Sequence, residues 1–185
     1  IETSHGRIAV LESSGAHLPL VLLHGNTMCK EVFLSQLESS LGDVYRLIAI
    51  DLPGHGASDD ARDPRTTYLP SGHADAVIET LHAMGIERAA FYGWSLGGHI
   101  VMETMRRSRL VAGAMLTGAP PVRTGHAGFL EGFMPHPAFE ILNKDRLTDE
   151  DVATLAHTLA GPNAPACVAP AIARETEIGR ASCRE

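Results

Sequence analysis

The segment Gly93-Trp94-Ser95-Leu96-Gly97 constrains the fold more than any other part of the chain, because it joins two different apolar periodicities. The apolar run before it, residues 89–92, is typical of a buried strand, and a helical pattern follows from Gly98. A G-x-S-x-G turn in this setting holds its serine at a tight bend, where a side chain on either glycine would collide with the flanking elements. We therefore predict that Ser95 is a candidate nucleophile.

Short apolar runs alternate with helical stripes through most of the chain. Strands are predicted at residues 8–11, 18–23, 45–50, 89–92 and 111–116. Helices are predicted at 32–41, over the stripe at 74–81, and after the serine turn. Strands that alternate with helices favour an α/β fold, with a mostly parallel sheet and flanking helices.

The pattern changes after residue 121, where glycine, proline and histidine become frequent and no further strand is predicted. Thr148 begins a capping-box sequence, and Gly161 ends the helix that follows. We expect residues 1–121 to form the N-terminal part of an α/β core and residues 122–176 a partial helical cap over its cleft. The last strands of such a core are expected to be missing.

Composition narrows the classes of partner. The net charge of −7 argues against a nucleic-acid or anionic-membrane surface, and no apolar run approaches a membrane span. Three cysteines without C-x-x-C spacing and ten dispersed histidines favour reduced thiols and predict no metal site and no cofactor. We expect a cytoplasmic protein that acts on a small molecule, and the sequence leaves its oligomeric state open.

Three loops follow predicted strands and carry the remaining motifs. They are His24-Gly25-Asn26, the run from Asp51 to Ser58, and Thr117-Gly118-Ala119-Pro120-Pro121. In an open α/β sheet the ligand lies beyond the carboxyl ends of the strands, so these loops are expected to converge on Ser95.

Together these motifs resemble the α/β-hydrolase superfamily over about residues 1–160. The resemblance implies the α/β-hydrolase fold, with Ser95 as nucleophile and an oxyanion hole made by the backbone N–H groups of Leu96 and Asn26. Residues 2–10, 24–26, 93–100 and 117–122 look more narrowly like the α/β-hydrolase type of N-acyl-homoserine lactonase. This likeness implies a serine hydrolase that cleaves a carboxylic ester or a lactone through an acyl-enzyme, without a metal.

Several alternatives stay open. The same elbow serves C–C hydrolases, thioesterases and cofactor-free perhydrolases, and a hydrolase fold can also be a receptor that binds small molecules without turnover. Trp94 either lines a substrate pocket or fills core. The Asn26 side chain either donates to the substrate or orders its own loop. Four more polar residues near the motifs are expected to have structural rather than catalytic roles: His24, His55, Asp51 and His99.

The acid and the histidine that would complete a catalytic triad are not assigned. In the hydrolase order the acid and then the histidine follow the serine, on loops after later strands. The candidates after Ser95 fall in cap segments instead, and they are Glu131, Asp145, Glu175, His126, His136 and His157. Residues 177–185 resemble a sequencing adapter translated in frame, so we expect a non-native tail on a truncated chain. Such a fragment is predicted to be inactive.

Overall fold

The computed structural model describes residues 1–123, 126–142, 144 and 147–174. A short antiparallel hairpin comes first, with Glu2 opposite Arg7. Five further strands of the described chain form one sheet. In chain order the strands are β1 (Glu2–Thr3), β2 (Gly6–Arg7), β3 (Val10–Glu12), β4 (His17–Leu23), β5 (Tyr45–Ile50), β6 (Ala89–Trp94) and β7 (Val111–Thr117).

Helices connect the strands and follow the last of them. A 3₁₀ turn at Lys30–Phe33 precedes the first helix, and a final helical segment spans 168–174. The other helices are α1 (Leu34–Leu37), α2 (Ser40–Val44), α3 (Pro64–Thr67), α4 (Pro70–Ala83), α5 (Leu96–Arg107), α6 (His126–Gly132), α7 (Pro137–Leu142) and α8 (Asp149–Ala160).

The sheet has the order β3-β5-β4-β6-β7 and is parallel except for the pair of β3 and β5. On β4, Leu22 is opposite Ala49 of β5 and Tyr92 of β6. The predicted α/β-hydrolase fold, a mostly parallel sheet with flanking helices, is confirmed. Because the strands are parallel, the loops after β4, β5, β6 and β7 emerge at one edge of the sheet.

The two faces of the sheet are covered differently. On one face Leu23, Ile50 and Phe91 pack against α4 and α5 in a fully buried cluster. On the other face Leu22 and Leu47 pack against Phe33 and its neighbours. The first face therefore holds the core that anchors α5, the helix that follows Ser95.

The predicted cap contains helices α6, α7 and α8 and the segment 168–174, and none of its described residues forms a strand. Thr148 caps α8 by accepting a hydrogen bond from the Asp151 N–H, and Asp151 accepts one from the Thr148 N–H in return. Gly161 ends the helix with a φ of 78°. Leu155, Val168 and Ile172 then form a buried cluster with Met28 of the core. The boundaries at 121 and 176 stay predictions, and residues 177–185 lie outside the described residues.

Two predicted elements differ from the structure. The single helix predicted at 32–41 is wrong, because Ser39 adopts an extended conformation and starts a new helix by accepting the Leu41 N–H. The strand predicted at 8–11 begins at Val10, as β3, and the N–H of Ile8 donates to the carbonyl of Ile1 instead. Neither difference changes the loops at the carboxyl edge.

Strand β7 lies at the edge of the described sheet. Residues 112–115, in its middle, are exposed, and Met115 keeps 63% of its surface accessible. No helix among the described residues combines the length and the apolar character needed to cross a membrane.

Candidate active site

Ser95 occupies the junction between β6 and α5 in a strained conformation. Its φ of 53° and ψ of −116° lie in a region that residues with a side chain rarely adopt. The turn is held from both sides, because the Ser95 N–H donates to the Thr117 carbonyl at 2.8 Å and the Ser95 carbonyl accepts from Gly98 at 2.9 Å. The bend therefore holds the half-buried Ser95 between strand and helix at the carboxyl edge of the sheet.

The two glycines of the turn are required by close backbone contacts. A Cβ on Gly93 would lie 2.6 Å from the Gly97 carbonyl oxygen, and a Cβ on Gly97 would lie 2.3 Å from that of Leu23. Both separations are far below any real contact of a Cβ atom. The steric reason expected for these glycines is confirmed.

The loop after β4 is locked against the serine turn. The Gly97 N–H donates a 3.1 Å hydrogen bond to the His24 carbonyl oxygen. A Cβ on Gly25 would lie 3.3 Å from the Ser95 Cβ, so the backbone of this loop passes directly beside the serine. Thr27 takes a left-handed φ of 62° and donates to the Asn26 carbonyl at 2.6 Å.

The two predicted oxyanion donors, Leu96 and Asn26, flank this contact. Leu96 is the first residue of α5, where a backbone N–H has no intrahelical acceptor. Asn26 is exposed, and its side chain makes no hydrogen bond to a described residue. The loop-ordering alternative for the Asn26 side chain therefore gains no support, and the oxyanion role of both residues stays a prediction.

His24 and His55 have the structural roles expected of them. His24 is fully buried, its Nδ1 lies 2.8 Å from the Gly25 carbonyl oxygen, and its Nε2 accepts the Leu52 N–H at 3.1 Å. The Nδ1 of His55 lies 3.0 Å from the Pro53 carbonyl. Burial lowers the pKa of His24 to about 4 and that of His55 to about 3, so both rings are neutral at pH 7.

Asp51 orders the loop after β5 through a buried ion pair. Its carboxylate lies 2.7 Å from the Lys30 ammonium and accepts the N–H groups of Lys30 at 2.6 Å and Ala57 at 2.8 Å. Burial alone would lower the pKa of Lys30, but hydrogen bonds to Asp51 and Glu31 outweigh that effect and raise it. These bonds tie the segment after β4 to the loop after β5.

Trp94 packs between two loops and also borders a cavity. A Cβ on Gly25 would lie 3.4 Å from the indole ring of Trp94, and a Cβ on Gly118 would lie 3.7 Å from it. The ring also contacts the buried cluster that contains Met28. A cavity of about 500 Å³ is lined by Trp94 together with Leu22 and other apolar side chains. Ser95 does not line this cavity, so the structure places Trp94 in a packing role and leaves the substrate-binding role a prediction.

The later candidates for a base or an acid are spread over the cap. His99 lies on α5 and is not one of these candidates; its ring lies against Phe133 with centroids 6.2 Å apart, which is the packing role expected for it. The Nδ1 of His136 accepts the Ala138 N–H, His157 is exposed, and Glu131 pairs with Arg123. Asp145 and Glu175 lie outside the described residues, and the side chain of His126 is not described.

One group of potential ligands was missed at the sequence level. The donor atoms of Cys29, Glu31 and Cys167 lie within 4.8 Å of one another. No spacing rule could have found it, because the two cysteines are 138 residues apart in sequence and meet only when the cap docks. The distance between the two sulfur atoms determines how well this group suits a metal ion.

The fold and the site define an α/β protein with a G-x-S-x-G turn at the carboxyl edge of its parallel strands. The chain belongs to the alpha/beta hydrolase family, whose model matches residues 20–180. It is similar to the solved N-acyl homoserine lactonase AidH, in a complex with N-butanoyl homoserine, at 40% identity and a TM-score of 0.89. That match covers 97% of this chain and 65% of the lactonase chain.

Two curated relatives are also similar. A putative non-heme haloperoxidase of Mycobacterium phage D29 is 31% identical over 136 residues, which are 70% of this chain and 46% of the relative. A pimeloyl-[acyl-carrier protein] methyl ester esterase of Nitrosospira multiformis is 34% identical over 112 residues, which are 60% of this chain and 42% of the relative. The chain thus spans about half the length of these curated relatives.

Proposed function

We propose that the protein is a serine hydrolase in which Ser95 attacks the carbonyl carbon of a carboxylic ester or lactone. The observation that carries the proposal is the backbone of Ser95, which has a φ of 53° at the end of β6 between glycines that admit no side chain. Strain of this kind is kept where a function requires it, and here it presents a hydroxyl at the carboxyl edge of the sheet.

The oxyanion formed by this attack is stabilised by the backbone N–H groups of Leu96 and Asn26. Support comes from the bond between the Gly97 N–H and the His24 carbonyl, which holds the two loops in one arrangement before substrate binds. Donors held in advance toward a developing negative charge contribute on the order of 3 kcal/mol each to transition-state stabilisation.

The mechanism runs through an acyl-enzyme. The serine oxygen bonds to the carbonyl carbon, the C–O bond of the ester or lactone breaks, and water then releases the acid and restores the serine. A general base must take the serine proton. Both nitrogens of His24 are engaged with backbone groups, so His24 does not serve as that base.

The histidine and the acid of the triad are proposed to come from a part of the full-length protein beyond this chain. The hydrolase order of serine, acid and histidine supports this proposal, as does the 65% coverage of the lactonase structure. Loss of the base typically lowers the rate by several orders of magnitude, so the 185-residue chain alone is expected to be nearly inactive.

The proposed substrate is an N-acyl homoserine lactone. Support comes from the likeness to the lactonase, which extends over 97% of this chain and includes the cap. Because two relatives are described as an esterase and a haloperoxidase, the other activities of this fold stay alternatives for this protein. A non-catalytic receptor is the alternative from a different class.

The test requires the full-length gene, including the part that follows the codon for residue 176. The full-length protein is assayed with N-hexanoyl homoserine lactone, p-nitrophenyl butyrate and a perhydrolysis assay, next to its Ser95→Ala variant. Lactone opening that exceeds ester cleavage and disappears in the variant supports the proposal. Ligand binding that survives Ser95→Ala, without turnover of any substrate by the parent, would support a receptor instead.

A further inference from the structure

The two cysteines of the described chain meet where the cap joins the core. The Sγ atoms of Cys29 and Cys167, both free thiols, lie 2.8 Å apart. Cys29 lies just after the loop that carries Asn26 and is only 1% exposed. Cys167 is half-buried and directly precedes the helical segment 168–174. The contact thus joins the loop beside Ser95 to the last described helix.

The neighbouring residues hold both cysteines in place. Met28 is fully buried in the cluster that also contains Val168 and Ile172, so each cysteine is adjacent in sequence to a side chain of the same apolar core. Arg174, at the end of the segment 168–174, donates to the carbonyl of Ser58 at 2.8 Å and to the carboxylate of Asp60 at 2.9 Å. The segment is therefore anchored at both ends.

A metal ion is the first alternative for this group, since Glu31 could add a third ligand. Two thiolates on one tetrahedral zinc ion stand about 3.8 Å apart, because each Zn–S bond is about 2.3 Å long. The sulfur atoms here are 2.8 Å apart, and the Glu31 carboxylate already lies 2.7 Å from the Lys30 ammonium. A metal ion would have to push the thiols apart and compete with Lys30, whereas a covalent bond requires only a small approach.

We propose that Cys29 and Cys167 form a reversible disulfide that fastens the cap to the loop beside Ser95. With a small-molecule disulfide as oxidant, the thiolate of one cysteine attacks a sulfur atom and releases one small thiol. The other thiolate then attacks the mixed disulfide and releases the second, so that two protein thiols are oxidised and one disulfide is reduced. The proposal does not depend on Ser95 being a nucleophile.

Cys167 is the residue expected to react first. It is half-buried, whereas burial, together with Cys167 and Glu31, raises the pKa of the Cys29 thiol. Cys29 then resolves the mixed disulfide, because its sulfur is already in contact with that of Cys167. A bond that spans 138 positions restricts the unfolded chain strongly and should raise the melting temperature of the oxidised protein.

The test uses the 185-residue chain with Cys183→Ser as the parent, so that a third thiol cannot compete. The chain is incubated with oxidised glutathione, alkylated under denaturing conditions and analysed by intact and peptide mass spectrometry. We expect the loss of two hydrogen atoms, protection of both cysteines and a peptide that links positions 29 and 167. The melting temperature should rise by about 5 °C or more, and dithiothreitol should reverse the rise.

Cys29→Ser and Cys167→Ser in the same background are the matched controls, and neither should show the rise in melting temperature. A parent chain that keeps both thiols open to alkylation would overturn the proposal. So would a parent that stops at a glutathione adduct on one cysteine. Protection of both thiols by zinc alone, at one ion per chain, would overturn it in favour of a metal site.

Discussion

The backbone N–H of Gly97 donates a hydrogen bond to the carbonyl oxygen of His24, and the two atoms are 3.1 Å apart. This bond connects the first turn of α5 to the loop after β4. The bond brings Gly97 very close to β4, because a Cβ on Gly97 would lie 2.3 Å from the Leu23 carbonyl oxygen. The glycine at this position therefore allows both the serine turn and the contact between α5 and the loop after β4.

Gly97→Ala is expected to lower the free energy of unfolding by about 2 kcal/mol or more, because the new methyl group must displace backbone. Urea denaturation measures this loss. Gly113→Ala is the matched control, since a Cβ there meets no atom within 4 Å, and its effect should stay within about 0.5 kcal/mol. Equal stability of the two variants would contradict the close approach.

Lys30→Met is expected to destabilise the protein by about 3–5 kcal/mol, because it leaves the buried carboxylate of Asp51 without its cation. The double variant Lys30→Met with Asp51→Asn removes both charges and should recover part of that loss. Denaturant unfolding of the parent, the single variant and the double variant forms the measurement. A single variant as stable as the parent would show that the ion pair is not buried as described.

Acid should destabilise the fold well above the range in which carboxylates titrate. His24, His55 and His73 are buried and neutral, with pKa values lowered from 6.5 to about 4, 3 and 3. The unfolded chain therefore binds more protons below pH 6.5, and the free energy of unfolding falls as the pH drops from 6.5 toward these values.

Melting temperatures between pH 7 and pH 5 test this dependence on the histidines. Over that interval we expect a progressive decrease, and His73→Phe should make it shallower by removing one titrating ring. The matched control is His157→Phe, at an exposed position of α8, which should leave the slope unchanged. A melting temperature that is constant over the interval would contradict the buried, neutral state of these rings.

The exposed edge of β7 is expected to limit the solubility of the 185-residue chain. Residues 112–115 are exposed, and unpaired edge strands with apolar side chains promote association between chains. Met115→Lys places a charge at a large, exposed apolar side chain of this strand and should lower light scattering at a given concentration. Scattering that is unchanged by the charge, with an unchanged melting temperature, would assign the association to another surface.

Local rules predicted much of the core correctly. The strand and helix around Ser95, the glycine contacts and the capping box of α8 all follow from patterns within about ten residues. The helix predicted at 32–41 failed because Ser39 can cap a new helix, a choice that depends on local hydrogen bonds rather than on apolar spacing.

Features that depend on contacts distant in sequence were not predictable. The ion pair of Lys30 with Asp51 and the contact of Cys29 with Cys167 join segments 21 and 138 residues apart. Neither pair carries a periodic signal, because each is set by how loops and cap dock on the finished sheet. The packing of Trp94 between Gly25 and Gly118 has the same origin.

The proposed ester or lactone hydrolysis requires Ser95 as the nucleophile. The direct measurement is the rate of N-hexanoyl homoserine lactone opening by the full-length protein, next to Ser95→Ala and to the 185-residue chain. We predict turnover by the full-length protein, a loss of at least about a thousandfold in Ser95→Ala, and near-background rates for the short chain. Turnover that survives Ser95→Ala, or a full-length protein with no histidine after residue 176, would contradict it.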